Sequence, residues 1–218
     1  ETQPNSQLDI VTGGVVNVPN SFVTVGDGAG SSGTVTISGS GAQLTTSNLY
    51  VGLNGTGALT ISGGGSASTD DRVLIGYNAG STGTVTVSGA GSTLAANGQI
   101  YVGDRGNGAL TVSGGGVVST NYFVSIGDAS GASGTVTVSG AGSQLNAADR
   151  VNVGVSGSGT LTISDGGSVN STSTALMLIG YNSGASGTVT VSGAGSKLTT
   201  AGGVYVGAYG RGTLNVSD

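Results

Sequence analysis

The apolar positions of this chain fall two apart, in runs of only four or five residues. Thr34–Ser38 reads TVTIS, and the same alternation returns as TVTVS at Thr84–Ser88, Thr135–Ser139 and Thr188–Ser192. A period of two places successive side chains on opposite faces of a strand, so Val35 and Ile37 are expected to face inward while Thr34 and Thr36 face outward. Glycine-rich stretches bound every run. An aliphatic-Gly pair recurs at Val25-Gly26, Val51-Gly52, Ile75-Gly76, Val102-Gly103, Ile126-Gly127, Val153-Gly154, Ile179-Gly180 and Val206-Gly207, giving a unit of about 25 residues. Each unit reads as three short strands, for example Val23–Gly26, Thr34–Ser38 and a segment around Leu44.

Successive units alternate between two kinds. The longer carries GTVTVSGAGS, identical at Gly83–Ser92, Gly134–Ser143 and Gly187–Ser196 and nearly so at Gly33–Ala42; the shorter carries sequences such as GALTISGGGS at Gly57–Ser66. Short strands, glycine corners and a fixed repeat predict an all-β fold, a single-stranded parallel β-helix (β-solenoid) of about eight coils stacked about 4.8 Å apart. One inward column is expected at the eight aliphatic residues named above. Another is expected at Ile37, Ile61, Val87, Val112, Val138, Ile163, Val191 and Val216. Antiparallel hairpins in a sandwich or propeller fit less well, because a propeller blade needs about 40 residues and the two-unit repeat splits into similar halves. Residues 1–218 are expected to form one repeat domain cut at both ends from a longer array, since stacked repeats normally carry distinct polar caps.

Composition explains why the corners recur. Of 218 residues 46 are Gly and 7% are charged, yet mean hydropathy is +0.21, the reverse of a disordered chain. Ten acids and five bases give a net charge of −5 with no basic run, so nucleic acid is not an expected partner. No apolar stretch approaches the length of a membrane span, and residues 1–20 lack the pattern of a signal peptide, so any export signal is expected outside this sequence. Cysteine and histidine are absent, which removes thiol chemistry and the commonest metal ligands; no cofactor is expected.

Three surface features could carry function. Outward Thr pairs (34/36, 84/86, 135/137, 160/162, 188/190) form a hydroxyl ladder of the kind that could template ice, although Ala58, Ala109 and Asn215 interrupt it. A second outward column reads Thr24, Tyr50, Leu74, Tyr101, Ser125, Asn152, Leu178 and Tyr205; its apolar members Tyr50, Leu74, Tyr101, Leu178 and Tyr205 are the candidate contact surface for a protein or glycan. Asp104 and Asp128 follow equivalent glycines in adjacent units, which would place two carboxylates about 5–6 Å apart, as a glycoside-cleaving site requires. Cleft and sugar platform are not evident around them, and solvated corners account for both residues. Asp71-Arg72, Asp104-Arg105 and Asp149-Arg150 read as solvated turns. GGGSASTDD at Gly63–Asp71 does not recur, so calcium is not expected.

The pattern VGxxGxGxLTxSGGG (Val51–Gly65, Val102–Gly116, with Asp for the first of the closing glycines at Val153–Gly167) and IGxxxGxxGTVTVSGAGSxL (Ile75–Leu94, Ile126–Leu145, Ile179–Leu198) resembles the passenger repeats of Gram-negative autotransporters. The resemblance spans essentially the whole chain. It implies export through the outer membrane, display or release at the bacterial surface, and a role as adhesin or rigid stalk, with no catalytic motif to carry over. The expected partner is a host or sister-cell surface protein or glycan, with self-association also open and no membrane contact by this segment. An ice-binding solenoid and a polysaccharide-degrading enzyme are the alternatives from other classes.

Overall fold

The computed structural model describes residues 5–218. These form 23 β-strands and no helix. Every ladder between them is parallel, and sequence neighbours within a coil never pair. The chain is a β-solenoid of about eight turns, with coils of about 26 residues, one longer than the spacing first implies. Individual offsets vary: Ser32 pairs with Thr56, an offset of 24, and Ser158 with Ser186, an offset of 28.

Each coil has three faces. In the sixth they are Ser133–Ser139, Gln144–Ala147 and Val151–Val153. First-face strands build a nine-stranded sheet. The second and third faces form one fourteen-stranded sheet, joined because Gln43–Val51 runs unbroken around the corner. In the first coil Val15–Val25 turns the same corner with a bulge: Val18 pairs with Thr46 and Phe22 with Asn48, so Pro19, Asn20 and Ser21 stand against Ser47 alone. Proline, lacking an N–H, fits an edge bulge of this kind.

The cross-section is six inward side chains per coil. In the fourth coil they are Val85, Val87, Leu94, Ala96, Ile100 and Val102; in the sixth Val136, Val138, Leu145, Ala147, Val151 and Val153, all buried. Both expected inward columns are present from the second coil to the seventh. At the last coil Val206 is 46% and Val216 73% exposed, because an inward side chain there is covered from one side only. Five coils place a hydroxyl, Thr46, Thr69, Thr120, Ser171 or Thr200, where the others have an inward aliphatic at the end of the second face. Thr46, Thr69, Thr120 and Ser171 donate to the carbonyls of Ser21, Asp71, Gly98 and Asp149 at the corner into the third face, and Thr200 donates to the Gly202 carbonyl.

The repeated decapeptide is now explained residue by residue. A Cβ at its first glycine, Gly134, would stand 2.1 Å from the Val102 carbonyl oxygen and 2.4 Å from the Gly127 nitrogen, so no other residue fits. Val136 and Val138 fill the core. Gly140 and Gly142 turn the corner with φ of 86° and 82°, a region closed to most L side chains. The closing Ser143 is buried, and its hydroxyl accepts the Gly115 N–H of the preceding, shorter coil at 3.1 Å. Ser92 accepts likewise from Gly64, and Ser196 from Gly166.

At the corner between the third and first faces the order reverses. Gly157 of the shorter coil presses on the preceding longer corner, where a Cβ would meet the Ala129 and Ala132 oxygens, each at 2.5 Å. Short-on-long and long-on-short junctions therefore alternate, which is the physical origin of the two-coil repeat.

Substitution at two neighbouring glycines separates packing from conformational strain. Gly134→Ala must displace backbone and should cost about 3 kcal/mol or more. Gly131→Ala, at φ 82° with nothing within 4 Å of the new Cβ, should cost about 1 kcal/mol. Urea denaturation of the two variants gives the comparison, and equal losses would contradict the close-approach account.

Candidate functional site

The three outward surfaces differ in chemistry. Between Ser32 and Ser192 the outward residues of the first-face strands are Thr, Ser and Ala with one Asn, Asn107, and none is charged. One Thr column there is unbroken through seven coils: Thr36, Thr60, Thr86, Thr111, Thr137, Thr162 and Thr190 pair in register. The second face is polar, with Asn170 donating to Asn146 at 2.8 Å as one rung of an amide ladder.

The third face and its two flanking turns carry every aromatic residue of the protein, seven Tyr and two Phe. Three of the four arginines, Arg72, Arg105 and Arg150, lie there too. Three parallel columns make up this surface. The middle column is the one legible from alternation, in which Tyr50 pairs with Leu74, Leu74 with Tyr101, and Tyr101 with Ser125. A column just before the strands contains Phe22, Arg72, Phe123 and Arg150. A column just after the corner glycines contains Leu53, Tyr77, Asp104, Asp128 and Tyr181.

Rings from different columns pair across coils. Phe22 meets Tyr50 edge-on with centroids 6.2 Å apart, Tyr50 meets Tyr77 at 5.5 Å, Tyr101 meets Phe123 at 5.6 Å, and Tyr181 meets Tyr209 at 5.8 Å. Edge-to-face contacts of this kind are favourable beyond the area they bury. Arg105 lies over Tyr77 at 5.6 Å and Arg150 over Phe123 at 5.8 Å. Arg105 thus takes the ring of the preceding coil, while Arg72 and Arg150 stand at 3.7 Å and 3.9 Å from the neighbouring Asp71 and Asp149.

The candidate contact residues do not all reach solvent. Leu74 is 3% exposed and cannot be a contact residue: it is sandwiched in register between Tyr50 and Tyr101, whose bulk covers it. Tyr50, Tyr101 and Leu178 are half-buried, and Tyr205 is 51% exposed. The exposed aromatic surface also includes Phe22, Tyr122 and Tyr209, which strand alternation does not reach because they sit in corners or at strand starts. The signal for two corner rings was present in the motif IGYN at Ile75–Asn78 and Ile179–Asn182, where Tyr directly follows the corner glycine.

Asp104 and Asp128 are brought together as spacing requires, since the Asp128 N–H donates to the Gly103 carbonyl and the Ala129 N–H to the Asp104 carbonyl. Ser125, wholly buried, donates to Asp128 Oδ1 at 2.5 Å. Burial and then the Asp128 charge hold the Asp104 carboxyl above its ordinary value near 3.8, against Arg105 and Arg72, which lower it. Burial, followed by Asp128, likewise raises the Tyr101 phenol. Two concavities lie at the ends of the stack, one against Asp27 and Ser31 and the other against Tyr209 and Arg211, and neither includes the Asp104–Asp128 pair. Among the described residues no group of three potential metal-binding side chains occurs.

No family model, curated protein or solved structure matches the chain.

The raised Asp104 carboxyl has a measurable consequence. The folded state holds this proton more tightly than the unfolded state, so stability falls as pH rises from 3.8 through the raised value. Asp104→Asn should flatten that part of the profile and leave the region below pH 3.8 unchanged. Melting temperature against pH for the two proteins measures this, and parallel curves would contradict it.

Proposed function

We propose that this chain is a repetitive segment displayed on a bacterial surface, of the autotransporter passenger kind, that acts as an adhesin or adhesive stalk through multivalent contacts along its third face. The observation that carries the reading is the confinement of all nine aromatic rings to one of three outward surfaces. Aromatic residues and Arg are the commonest energetic anchors of contact surfaces, and uniform surface drift would have scattered them over all three faces. A rigid stack repeating about every 4.8 Å holds such anchors in fixed order, so weak contacts add through avidity and no deep pocket is required. The motif resemblance supplies the expectation of export and display.

The chain coupled to beads should be retained on layers of cultured animal cells or of bacteria. Replacing the exposed rings Tyr122, Tyr205 and Tyr209 with Ala should reduce retention at least tenfold, as loss of a few anchors does elsewhere. Thr84, Thr135 and Thr188 on the first face, replaced with Ala, should leave it unchanged. Equal effects from the two sets, or none from either, would remove the third face from consideration.

The unbroken column of seven Thr favours one second reading, an ice-binding first face, because hydroxyls repeat about 4.8 Å apart between coils and about 7 Å apart along each strand. Freezing-point measurement checks it: an ice binder shows a gap between freezing and melting that Thr137→Lys abolishes, and a protein with no gap at high concentration is not one.

A further inference from the structure

Two buried side-chain polar atoms have no hydrogen-bond partner among the described residues, and both lie at one third-face strand, Val151–Val153: Nε of Arg150 just before it and Oδ1 of Asn152 within it. Alternate residues of a strand project to the same side, so this donor and this acceptor share the outward surface. Asn152 is 6% exposed and stands in register beside Ser125. Unpaired polar atoms at such burial are rare, and each calls for an explanation.

Their surroundings narrow the ligand. Arg150 lies over the Phe123 ring, which in turn meets Tyr101 edge-on, and its other contact, to Asp149, is a long 3.9 Å pair with both side chains part-exposed. The two unpaired atoms lie below the surface, so a ligand would have to turn the guanidinium off the Phe123 ring to reach them. Asp128 accepts from Ser125 and keeps further acceptor capacity, and Asp104 follows one coil before.

We infer that Arg150, Asn152 and Asp128, flanked by the Phe123 and Tyr101 rings, form a subsite for a neutral sugar unit of a glycan. The inference rests on the third face being the contact surface. A hydroxyl accepts and donates at once, so one sugar hydroxyl takes the Arg150 Nε–H and gives its own proton to Asn152 Oδ1. A second hydroxyl donates to Asp128, and the apolar side of the sugar ring lies against an aromatic ring. A carboxylate ligand would leave Asn152 Oδ1 unpaired and would face Asp104, Asp128 and Asp149. An ammonium group has no lone pair to accept from Arg150 Nε–H, which would stay unpaired.

The test is titration calorimetry of the whole chain with neutral hexasaccharides (gluco-, manno- and galacto-configured) and with a uronic-acid hexasaccharide. At least one neutral oligomer should bind in preference to the acidic one. Arg150→Lys, which keeps the charge but lacks Nε–H, and Asn152→Leu should each weaken binding at least tenfold. Asn152→Leu should also leave the melting temperature unchanged or raised, because it removes an unpaired buried polar atom. Absence of neutral binding, preference for the acidic oligomer, affinities within twofold of the parent in both variants, or a clear drop in melting temperature for Asn152→Leu would each overturn the subsite. If the sugars fail while bead retention still depends on the third-face rings, the subsite is wrong and the contact surface stands, with a protein partner. Retention that ignores those rings instead removes the contact reading beneath it.

Discussion

Everything in this protein depends on one constraint, that each coil must lie in register on the one before it. Parallel ladders between neighbouring coils are where the backbone N–H and C=O groups of the strands find partners, because a single coil offers its own strands none. Register is in turn held by the corners. At Gly127 a Cβ would stand 2.1 Å from the Ser158 oxygen one coil on, so the glycine fixes how closely successive corners approach. The six-residue cross-section follows: at that spacing an inward Val or Ile is covered above and below by its counterparts, as Val138 is by Val112 and Ile163.

The same constraint divides the outward surface into columns, and this decides what a column can do. A side chain pointing away from the core is still flanked at about 4.8 Å by its neighbours in adjacent coils. Its exposure is set as much by them as by its own direction. Leu74 is buried between two tyrosines, and Ser125 and Asn152 are buried at equally outward positions. Large side chains in one coil therefore cover small ones in the next, and outward positions become buried without any departure from the repeat.

This is also where the sequence stopped being legible. Alternation of two along Thr34–Ser38 and the recurrence of Val-Gly or Ile-Gly were sufficient for the fold, the inward columns and the direction of every middle-column residue, because those follow from strand geometry alone. Spacing likewise placed Asp104 beside Asp128. Burial of Leu74 depends on the size of its neighbours across the ladder, and the ring pairs join residues in different columns, Tyr50 with Tyr77 and Tyr101 with Phe123. Corner residues follow no period of two, so Tyr77, Phe123, Tyr181 and Tyr209 fell outside a strand-based reading. The two-coil repeat was visible, but its cause was not, since Ser143 reaches Gly115 across 28 residues.

Comparison among the coils shows where constraint ends. The decapeptide that forms the first face and its corner is identical in three coils; its glycines, its two Val and its closing Ser fill the core, turn the chain or clip one coil to the next, while its two Thr and its Ala face outward without such contacts. At the same levels of the stack the third face reads Tyr101, Ser125, Asn152, Leu178, and its flanking column reads Asp104, Asp128, Val155, Tyr181. Outward positions on the third face are free of the close contacts that fix the first-face corner, so chemistry there can change from coil to coil at little cost in stability. That freedom holds every aromatic ring in the protein, and the rings that pair across coils also help to fix one coil on the next. Identity on one face and concentrated variety on another follow from where the close backbone contacts of the stack lie.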